Sequence, residues 1–433
     1  MKASDKLNEE IERECPVAGK LLSVLGRRVV FPPGIPEQAG QAKGKRFNAT
    51  IGQILADDGH AAILPAMGAL ARGLPEEARD AAYLYSPVQG LEALRRAWRE
   101  RQRREIDPSL PSSLPLVTVG LTHALSLLAD LFAGEERAVA VPSPFWGNYR
   151  QIFAVRTGAQ MLTSAAYRDG RFNPLAIAAA LEALPAGKPA IALVNVPSNP
   201  GGYSPMDGER QELIASLRAI AEERPLLVVC DDAYAGLVYV EGVESRSLFW
   251  DLIGAHPNLL PVKVDGATKE LSFFGGRVGF LTFPFAPGSI AAEALESKVK
   301  CLVRATVGSP VGASQSVVLQ ALRDGGVDGQ IAELRDSLAE RHRVLEQALA
   351  DVDPALLRAL PSNSGCFTLL ELPDELGLDA EETRLDLLEH FDTGLVAIPP
   401  RFLRVAFCSV AAADIPELVH RIEQSLRARR GGE

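Results

Sequence analysis

Lys269 and Arg277 are spaced as in a site that binds an aldehyde covalently and also holds a phosphate. Lys269 follows the small residues Gly266-Ala267-Thr268, and Arg277 stands among glycines eight positions later. A lysine amine forms a Schiff base with a carbonyl once it is partly desolvated, and an arginine guanidinium offers a planar fork to a phosphate. A lone lysine is usually a solvated surface charge, so the rest of the sequence must decide between the two interpretations.

The composition is that of an acidic globular protein with a sizeable core. The chain has 433 residues, 47% of them hydrophobic, and its 45 Lys and Arg against 55 Asp and Glu give a net charge of −10. The length allows two domains, and the negative charge argues against nucleic acid as the main partner. The amino terminus lacks an apolar signal core, and no apolar run approaches the roughly 20 residues of a membrane span. We therefore expect a cytoplasmic protein with no nucleic-acid or membrane partner.

The cysteines and histidines predict reduced thiols and no metal site. The six histidines are dispersed without the two-histidine helical spacing of a zinc site. An odd set of cysteines without a CxxC pair is typical of a cytosolic protein. The cysteines are Cys15, Cys230, Cys301, Cys366 and Cys408.

The elements that must position these residues are predicted by apolar runs that alternate with helical patterns between about residues 60 and 300. The runs are apolar throughout, as in strands of a largely parallel sheet that is covered on both faces. They are Arg137–Val141, Ala190–Val196, Leu226–Cys230, Leu259–Val264 and Val278–Phe283. We expect residues 61–310 to form a large α/β domain.

The residues beyond 310 predict a smaller α+β domain over residues 311–433. The predicted elements are a helical stretch Ala313–Asp351, a strand Cys366–Leu372, a helix Ala380–His390, a strand Phe402–Phe407 and a last helix that ends near Leu426. At the other end of the chain, residues 7–26 have an amphipathic helical pattern, and the Pro/Gly-rich residues 31–44 predict an extended arm. We expect residues 1–60 to join the small domain.

Polar side chains follow three of the predicted strands at the point where each strand ends. Asn199 lies in Pro197–Gly202, Asp231 and Tyr234 follow the next run, and Lys269 follows the one after that. In open α/β sheets, ligands bind beyond the carboxyl ends of the strands. Asn-Pro-Gly-Gly alone is usually a turn and an aspartate after a strand is often a helix cap, but their convergence on one sheet edge predicts a single site.

A fourth segment, Thr118–Leu125, joins a short apolar stretch to an amphipathic helix through Gly120 and Thr122. The free N–H groups of a helix N-terminus and a threonine hydroxyl make a cup for a phosphate. Threonine is also an ordinary helix cap, so this segment supports the phosphate prediction only together with Arg277.

With these elements in this order, the sequence resembles the class I/II aminotransferases, which are pyridoxal-phosphate enzymes of the aspartate aminotransferase fold (fold type I). The resemblance covers roughly residues 45–425. The resemblance implies an α/β fold in which a mostly parallel seven-stranded sheet lies between helices, plus a smaller α+β domain built from N- and C-terminal segments. The segments that carry it are Tyr85–Gly90, Gly120–Ala124, Asn199–Gly202, Asp231–Tyr234, Lys269–Gly279 and Phe402–Val405.

The resemblance implies a role for each cofactor-binding residue. Lys269 would hold pyridoxal 5′-phosphate as a Schiff base and, once displaced, would move the proton from the substrate Cα. Asp231 would keep the ring nitrogen protonated, and Tyr234 and Asn199 would hydrogen-bond the ring 3-oxygen. The further residues assigned to the cofactor, mainly to its phosphate, are Arg277, Gly120, Leu121, Thr122 and Thr268.

Two aromatic residues extend the site by the same resemblance. Tyr85 would reach the phosphate of a neighbouring subunit, which implies a homodimer with shared active sites; the alternative is a core aromatic residue before a helix. Trp146 would stack on the pyridine face; the alternative is packing alone.

Substrate binding is implied for three more positions. Arg404 would clamp the substrate α-carboxylate, helped by Asn199 and by the backbone near Gly52; the alternative is a surface arginine. Arg304 stands where aspartate aminotransferases carry the arginine that reaches across the dimer to a second carboxylate, and the alternative is an ion pair at the domain junction. Aspartate, glutamate and aromatic amino acids thus remain open as donors, with 2-oxoglutarate as an acceptor.

Two residues depart from the family pattern. Gly266 stands where many relatives carry a serine that binds phosphate, and Tyr149 stands where aspartate aminotransferases have a histidine behind the acidic residue. Both departures put a close functional identity with aspartate aminotransferase in question, but they leave the prediction of the cofactor unchanged.

We expect an aminotransferase and keep two alternatives. A carbon–sulfur β-lyase on the same fold would share every cofactor residue. A non-catalytic cofactor-sensing module, like those fused to winged-helix regulators, would need a DNA-binding domain, and the roughly 45 residues before the region of resemblance carry no basic recognition helix.

Overall fold

The computed structural model describes residues 3–14, 22, 24–28, 34–68 and 73–430. Within these residues the strands are β1 Phe47–Asn48, β2 Leu116–Val119, β3 Ala138–Ser143, β4 Gln160–Ala165, β5 Tyr167–Arg168, β6 Arg171–Phe172, β7 Ala190–Asn195, β8 Leu226–Asp231, β9 Leu259–Gly266, β10 Val278–Thr282, β11 Arg358–Ala359, β12 Thr368–Glu371, β13 Thr393–Gly394, β14 Val396–Ile398 and β15 Phe402–Val405.

The α-helices of the same residues are α1 Ala3–Glu14, α2 Val24–Arg28, α3 Ile35–Gln41, α4 Glu76–Tyr83, α5 Glu92–Gln102, α6 Gly120–Phe132, α7 Ala176–Leu181, α8 Asp207–Glu223, α9 Leu248–Leu252, α10 Ala267–Glu270, α11 Ile290–Thr306, α12 Gly312–Arg323, α13 Val327–Ala350, α14 Ala380–His390 and α15 Ile415–Arg430. A π-helical turn spans Arg150–Val155.

A seven-stranded sheet with the order β2-β10-β9-β8-β7-β3-β4 forms the larger layer of the molecule. The strands from β9 to β4 run parallel to their neighbours, and only β10 is antiparallel to both β9 and β2. The predicted fold class is confirmed. The fifth apolar run, predicted with the parallel strands, is the antiparallel β10.

The strands are apolar throughout because helices cover both faces of this sheet. Val229 on β8 packs in a cluster with Leu121 of α6 and Val303 of α11. Its neighbour Val228 points to the opposite face and packs in a cluster with Leu217 of α8. Alternate residues of one strand thus bury their side chains in two separate layers, which removes the polar alternation of a half-exposed strand.

A four-stranded antiparallel sheet with the order β11-β12-β15-β14 forms the smaller layer. Leu403 on β15 packs in one cluster with Leu338 of α13 and Leu418 of α15. The predicted continuous helix Ala313–Asp351 is wrong, because α12 and α13 are separate and Gly325 between them adopts a φ of 72°, a left-handed conformation that favours glycine.

The amino-terminal part of the chain differs from the prediction over residues 31–44. Ile35–Gln41 is helical, so the extended arm is wrong there, and residues 31–33 lie outside the described ones. The helix predicted over residues 7–26 corresponds to the carboxyl end of α1 and the beginning of α2, and residues 15–21 and 23 lie outside the described part. Strand β1 pairs in parallel with β13. The domain boundaries at residues 60 and 310 stay predictions.

We find, among the helices that the structure describes, none with both the length and the apolar character required to cross a membrane.

Candidate active site

One cavity at the carboxyl edge of the seven-stranded sheet collects most of the predicted cofactor residues. Tyr149, Asn195 and Ala233 also contribute to its wall, and they were not predicted. Of the residues assigned to the cofactor, Gly120 lies next to the cavity wall and Tyr85 does not line the cavity. The lining residues are Leu121, Thr122, Trp146, Tyr149, Asn195, Asn199, Asp231, Ala233, Tyr234, Thr268, Lys269 and Arg277.

Lys269 reaches this cavity because β9 ends at Gly266 and α10 begins at once. A Cβ atom on Gly266 would lie 2.6 Å from the carbonyl oxygen of Val278 on β10 and 2.9 Å from Leu121 Cδ1. The position where many relatives carry serine therefore has no room for a side chain here. The Lys269 Nζ lies 5.2 Å from the centroid of the Tyr234 ring.

The Lys269 amine is held in an environment that favours its neutral form. Burial lowers the pKa of Lys269 below its usual value, Asp231 opposes this effect, and Arg277 adds to it. A neutral amine is the form that attacks a carbonyl and accepts a proton. The cavity therefore shifts the Lys269 amine toward the form that both steps require.

Asp231 ends β8 with a buried carboxylate that faces the same cavity. The Tyr149 hydroxyl donates to Asp231 Oδ2 at 2.5 Å, and the Ala233 N–H donates to Oδ1 at 3.2 Å. Asn195 Nδ2 holds the backbone by donating to the Asp231 carbonyl at 2.9 Å. Burial raises the pKa of Asp231 to about 6, against the opposing effects of the Tyr149 hydrogen bond and the Lys269 charge.

A hydrogen-bonded chain joins the predicted cofactor residues to the predicted substrate residues. Asn199 Nδ2 donates to the Tyr234 hydroxyl at 3.4 Å, and Arg404 Nη1 donates to Asn199 Oδ1 at 2.9 Å. Arg404 Nη2 donates to the Thr50 carbonyl at 2.6 Å. A main-chain carbonyl near Gly52 in sequence, that of Thr50, thus helps to hold the arginine.

Arg404 is a buried arginine, which excludes the surface alternative. Its guanidinium carbon lies 4.3 Å from the centroid of the Phe367 ring, and burial lowers its pKa to about 10. Its Nε is buried and makes no hydrogen bond within the described residues. A Cβ atom on Gly52 would lie 2.3 Å from Phe367 Cζ, so Gly52 and Phe367 are in close contact.

The phosphate prediction rests on close backbone packing at the amino end of α6. Gly120 has a φ of 74°, and a Cβ atom there would lie 2.3 Å from Arg277 Nη2. A Cβ atom on Gly279 would lie 2.6 Å from the Gly120 carbonyl carbon. Both glycines are therefore required for the guanidinium and β10 to approach the first turn of α6.

The donors of this region fit a phosphate. The Thr268 hydroxyl is buried and has no hydrogen-bond partner among the described residues, and Thr122 lies in the first turn of α6, where helix N–H groups lack acceptors. Arg277 lines the same wall, and with the described residues its guanidinium makes one hydrogen bond, from Nη1 to the Phe274 carbonyl at 3.2 Å. Together with a lysine amine and a buried carboxylate, these residues fit an aldehyde cofactor that carries a ring nitrogen and a phosphate.

Tyr85 and Arg304 lie outside this cluster, whereas Trp146 belongs to it. Tyr85 is 98% exposed and Arg304 is exposed near the carboxyl end of α11. Trp146 lines the cavity, where its ring meets the Tyr149 ring edge-on at 5.4 Å between centroids. Tyr85 and Arg304 do not join the cavity of their own chain. The structure of one chain therefore does not test whether they act in the active site of a second subunit.

Sequence reasoning missed three residues that contact predicted site residues. Asn195 ends a strand, so the same rule that found Asp231 could have found it. Tyr149 was noted only as a departure from the family pattern. Its short distance in sequence from Trp146, a predicted cofactor residue, could have indicated that it also lines the site. Phe367 contacts Arg404 from a loop and gave no signal.

Known proteins of this fold include several aminotransferases. The chain aligns with a crystal structure of an aminotransferase from Anaerococcus prevotii with a TM-score of 0.80 at 23% identity, covering 92% of this chain and 98% of that one. A kynurenine aminotransferase of Pyrococcus horikoshii, solved in complex with PMP, aligns with a TM-score of 0.78 at 18% identity over 95% of this chain and 98% of that one. These similarities establish the aminotransferase fold.

Sequence comparison then gives the family. The model of "Aminotransferase class I and II" matches residues 46–422. An aspartate aminotransferase of Bacillus sp. (strain YM-2) is 26% identical over 360 residues, which are 79% of this chain and 84% of the relative. The chain belongs to the class I and II aminotransferase family and is a pyridoxal-phosphate-dependent transaminase.

Proposed function

We propose that Lys269, Asp231, Tyr234, Asn199 and Arg277 bind the cofactor, and that the enzyme transfers an amino group from an L-amino acid to a 2-oxo acid such as 2-oxoglutarate. The observation that carries this proposal is the common cavity of a lysine with a lowered pKa and a buried carboxylate. Bound pyridoxal phosphate supplies a carbonyl and an electron-withdrawing ring that stabilises negative charge on the substrate Cα.

The side chains divide the proton transfers between them. Lys269 Nζ, once free and neutral, accepts the proton from the substrate Cα, because its lowered pKa raises the neutral fraction of the amine. The Asp231 carboxylate would hold a proton on the ring nitrogen of the bound cofactor through a charge-assisted hydrogen bond. The Tyr234 hydroxyl and Asn199 Nδ2 lie on the same wall, where they would donate to the ring oxygen of the bound cofactor.

Arg404 is proposed to bind the substrate α-carboxylate. Asn199 and Thr50 accept from its two terminal nitrogens, and Phe367 packs against its plane, so its orientation is fixed before substrate arrives. Its buried Nε has no partner among the described residues and is available to a carboxylate. A prepositioned planar fork loses little entropy on binding.

A homodimer with shared active sites is proposed from the exposed segment Tyr83–Tyr85. Tyr83 is 88% and Leu84 is 68% exposed, which is unusual for adjacent large apolar residues. The chain just after them is fixed, because the Ser86 hydroxyl donates to the Pro310 carbonyl and Gln315 Nε2 donates to Ser86 Oγ at 3.2 Å. Tyr85 is thereby presented to a second copy. Sedimentation velocity is expected to give a dimer, and a monomer with full activity would contradict shared sites.

The substrate side chain is proposed to be recognised by Arg304 of the second copy. A relative of this chain is named aspartate aminotransferase, and a structural neighbour acts on kynurenine, so dicarboxylic and aromatic donors are both represented among similar proteins. Arg304 is exposed and makes no hydrogen bond or ion pair with the described residues. This argues against the alternative of a domain-junction ion pair and favours a dicarboxylic donor. The cytoplasmic location remains a prediction from the sequence.

A panel of amino donors with 2-oxoglutarate tests this function. We expect Arg304→Ala to lower kcat/KM for aspartate by about 10- to 100-fold relative to phenylalanine, the range for losing a hydrogen bond to a charged group. Arg218→Ala, at an exposed position of α8, is the control. An unchanged ratio would remove Arg304 from substrate recognition. Release of a thiol together with ammonia, with no amino group transferred to 2-oxoglutarate, would assign the carbon–sulfur lyase.

A further inference from the structure

Tyr149 is a buried side chain whose hydroxyl is committed to Asp231. Tyr149 is 1% exposed, and its hydroxyl donates to Asp231 Oδ2 at 2.5 Å. Among the described residues this is the only side-chain donor to that carboxylate, and the only other donor is the backbone N–H of Ala233, which reaches Oδ1. The two contacts hold the two carboxylate oxygens separately, so they fix the rotation of the carboxylate plane.

The position of the Tyr149 hydroxyl is itself fixed by packing. Its ring meets Trp146 edge-on at 5.4 Å and lies 6.4 Å from the Phe145 ring, measured between centroids. Its backbone N–H donates to the Trp146 carbonyl at 3.0 Å, immediately before the π-helical turn Arg150–Val155. A π-helical turn is uncommon and is frequently found at functional sites. The ring therefore carries its hydroxyl to one defined place beneath Asp231.

We propose that Tyr149 is a positioning residue that keeps the Asp231 carboxylate oriented and anionic toward a protonated ring nitrogen of the cofactor. The inference rests on the proposed function of Asp231 and adds a residue to it. Tyr149 thereby favours a ligand with a protonated pyridine nitrogen, because a hydrogen-bonded carboxylate anion stabilises the positive charge on that nitrogen. A ring with an uncharged atom at the same position has no such charge to stabilise.

A tyrosine suits this task because it donates without changing charge. Burial raises the pKa of Tyr149 well above its usual value, and the nearby Asp231 charge raises it further. The hydroxyl therefore stays protonated throughout the neutral range, whereas an imidazole has an ordinary pKa near 6.5 and can change charge there. The other charged groups that act on Asp231 are Lys269, which favours its anion, and Asp232, which opposes it.

The test compares two ligands on the apoenzyme, pyridoxal phosphate and its 1-deaza analogue, in which a CH group replaces the ring nitrogen. Binding is measured by fluorescence titration, so the readout does not require turnover. We expect Tyr149→Phe to reduce the preference for pyridoxal phosphate over the analogue by about tenfold, the lower end for a hydrogen bond to a charged group. The matched control is Tyr203→Phe, because the Tyr203 hydroxyl donates to Glu209 Oε2 at 2.7 Å outside the cavity; its preference is expected to stay unchanged.

A double-mutant cycle with Asp231→Ala separates positioning from general packing. In the Asp231→Ala protein, Tyr149→Phe is expected to change the dissociation constant of pyridoxal phosphate by less than about twofold, because the carboxylate that it positions is gone. Equal weakening of both ligands by Tyr149→Phe, or an additive cycle, would overturn the proposal.

If Tyr149→Phe does not fold, Tyr149→His provides a second variant, because it retains a donor. This variant is expected to keep the ligand preference, and loss of that preference would contradict the proposal. Failure of pyridoxal phosphate to bind the wild-type protein would instead refute the proposed function itself.

Discussion

Asp231 and Asp232 are adjacent in sequence, yet they lie in two different electrostatic environments. Asp231 faces the cofactor cavity, where a tyrosine hydroxyl and one backbone N–H contact its carboxylate. Asp232 forms a buried ion pair with Lys263, and Lys263 Nζ also lies 3.2 Å from Asp265 Oδ2. Because successive residues at the end of a strand point to opposite faces of the sheet, two carboxylates with the same burial acquire different partners.

The two lysines of these regions show the same contrast. Burial lowers the pKa of Lys269 below its usual value. Burial also lowers the pKa of Lys263, but Asp232 and Asp265 outweigh that effect and raise its pKa above the usual value. The two carboxylates therefore stabilise the charged form of Lys263, whereas the pKa of Lys269 in the cavity is shifted toward release of its proton. Burial of a charged residue type thus does not by itself mark a site.

The two regions differ in how completely their buried polar groups are hydrogen-bonded. The carboxylate of Asp265 also accepts from Trp98 Nε1 at 3.1 Å and from Gln102 Nε2 at 3.0 Å, so the Lys263 region is densely hydrogen-bonded. In the cavity, by contrast, the Thr268 hydroxyl has no hydrogen-bond partner in the part of the chain that the structure describes, and the same holds for Arg404 Nε, which lies beyond Asn199. A ligand that accepts hydrogen bonds from these two donors would satisfy them, and leaving such groups unpaired is destabilising.

The largest predicted effect is on activity. Lys269→Ala is expected to lower kcat by roughly 10⁴-fold or more, the upper range for removing a group that transfers a proton. The melting temperature of the apoenzyme should change little, because the amine has no hydrogen bond to lose within the described residues. Steady-state assays and calorimetry on the same preparation measure both quantities. Residual activity above one hundredth of wild type would contradict the proposed function of Lys269.

The second effect is on stability and concerns the other lysine. Lys263→Met is expected to lower the free energy of unfolding by about 3–5 kcal/mol, because it leaves two buried carboxylates without their cation. The cofactor should still attach to Lys269 in the folded variant. Urea denaturation measures the loss. A variant with wild-type stability that fails to bind cofactor would contradict this contrast, because Lys263 would then contribute to cofactor binding and not to stability.

The smallest effect is a pH dependence carried by Asp231. Burial raises its pKa from the ordinary 3.8 to about 6, so the folded apoenzyme binds a proton more tightly than the unfolded chain, and stability falls as pH rises through that window. Asp231→Asn abolishes this titration. The stability of the variant relative to wild type should increase by about 2–3 kcal/mol between pH 4 and pH 7. A difference that stays flat across this range would show that Asp231 is not a strained carboxylate.

Much of the fold and the cavity could be predicted from local sequence patterns. Strands such as Leu226–Asp231 are apolar because both faces are covered, and the polar residues that follow them meet at one edge by topology alone. Glycines provided a second signal, since Gly120 and Gly279 stand where two backbones approach closely. The glycine at position 325 could also have divided the helix predicted over residues 313–351.

The rest depends on contacts between distant residues. Tyr149 meets Asp231 across 82 positions of the chain. Lys263 lies within an apolar run, and its pairing with Asp232 and Asp265 arises only when neighbouring strands come together. Helix α3 was obscured by its Pro- and Gly-rich surroundings, although proline is tolerated in the first turn of a helix. Tyr85 and Arg304 are proposed to act across two subunits, so the geometry of one chain does not place them in a site.

The most direct test of the central claim is to reduce the purified holoenzyme with borohydride, digest it and locate the cofactor mass by peptide mapping. The contrast between the partly buried Lys269 and the buried Lys263 predicts a single modified residue, Lys269, with Lys263 unmodified. Cofactor attached to Lys263 or to any other lysine would contradict the claim, because the cofactor would then not be bound by the lysine amine that faces the cavity.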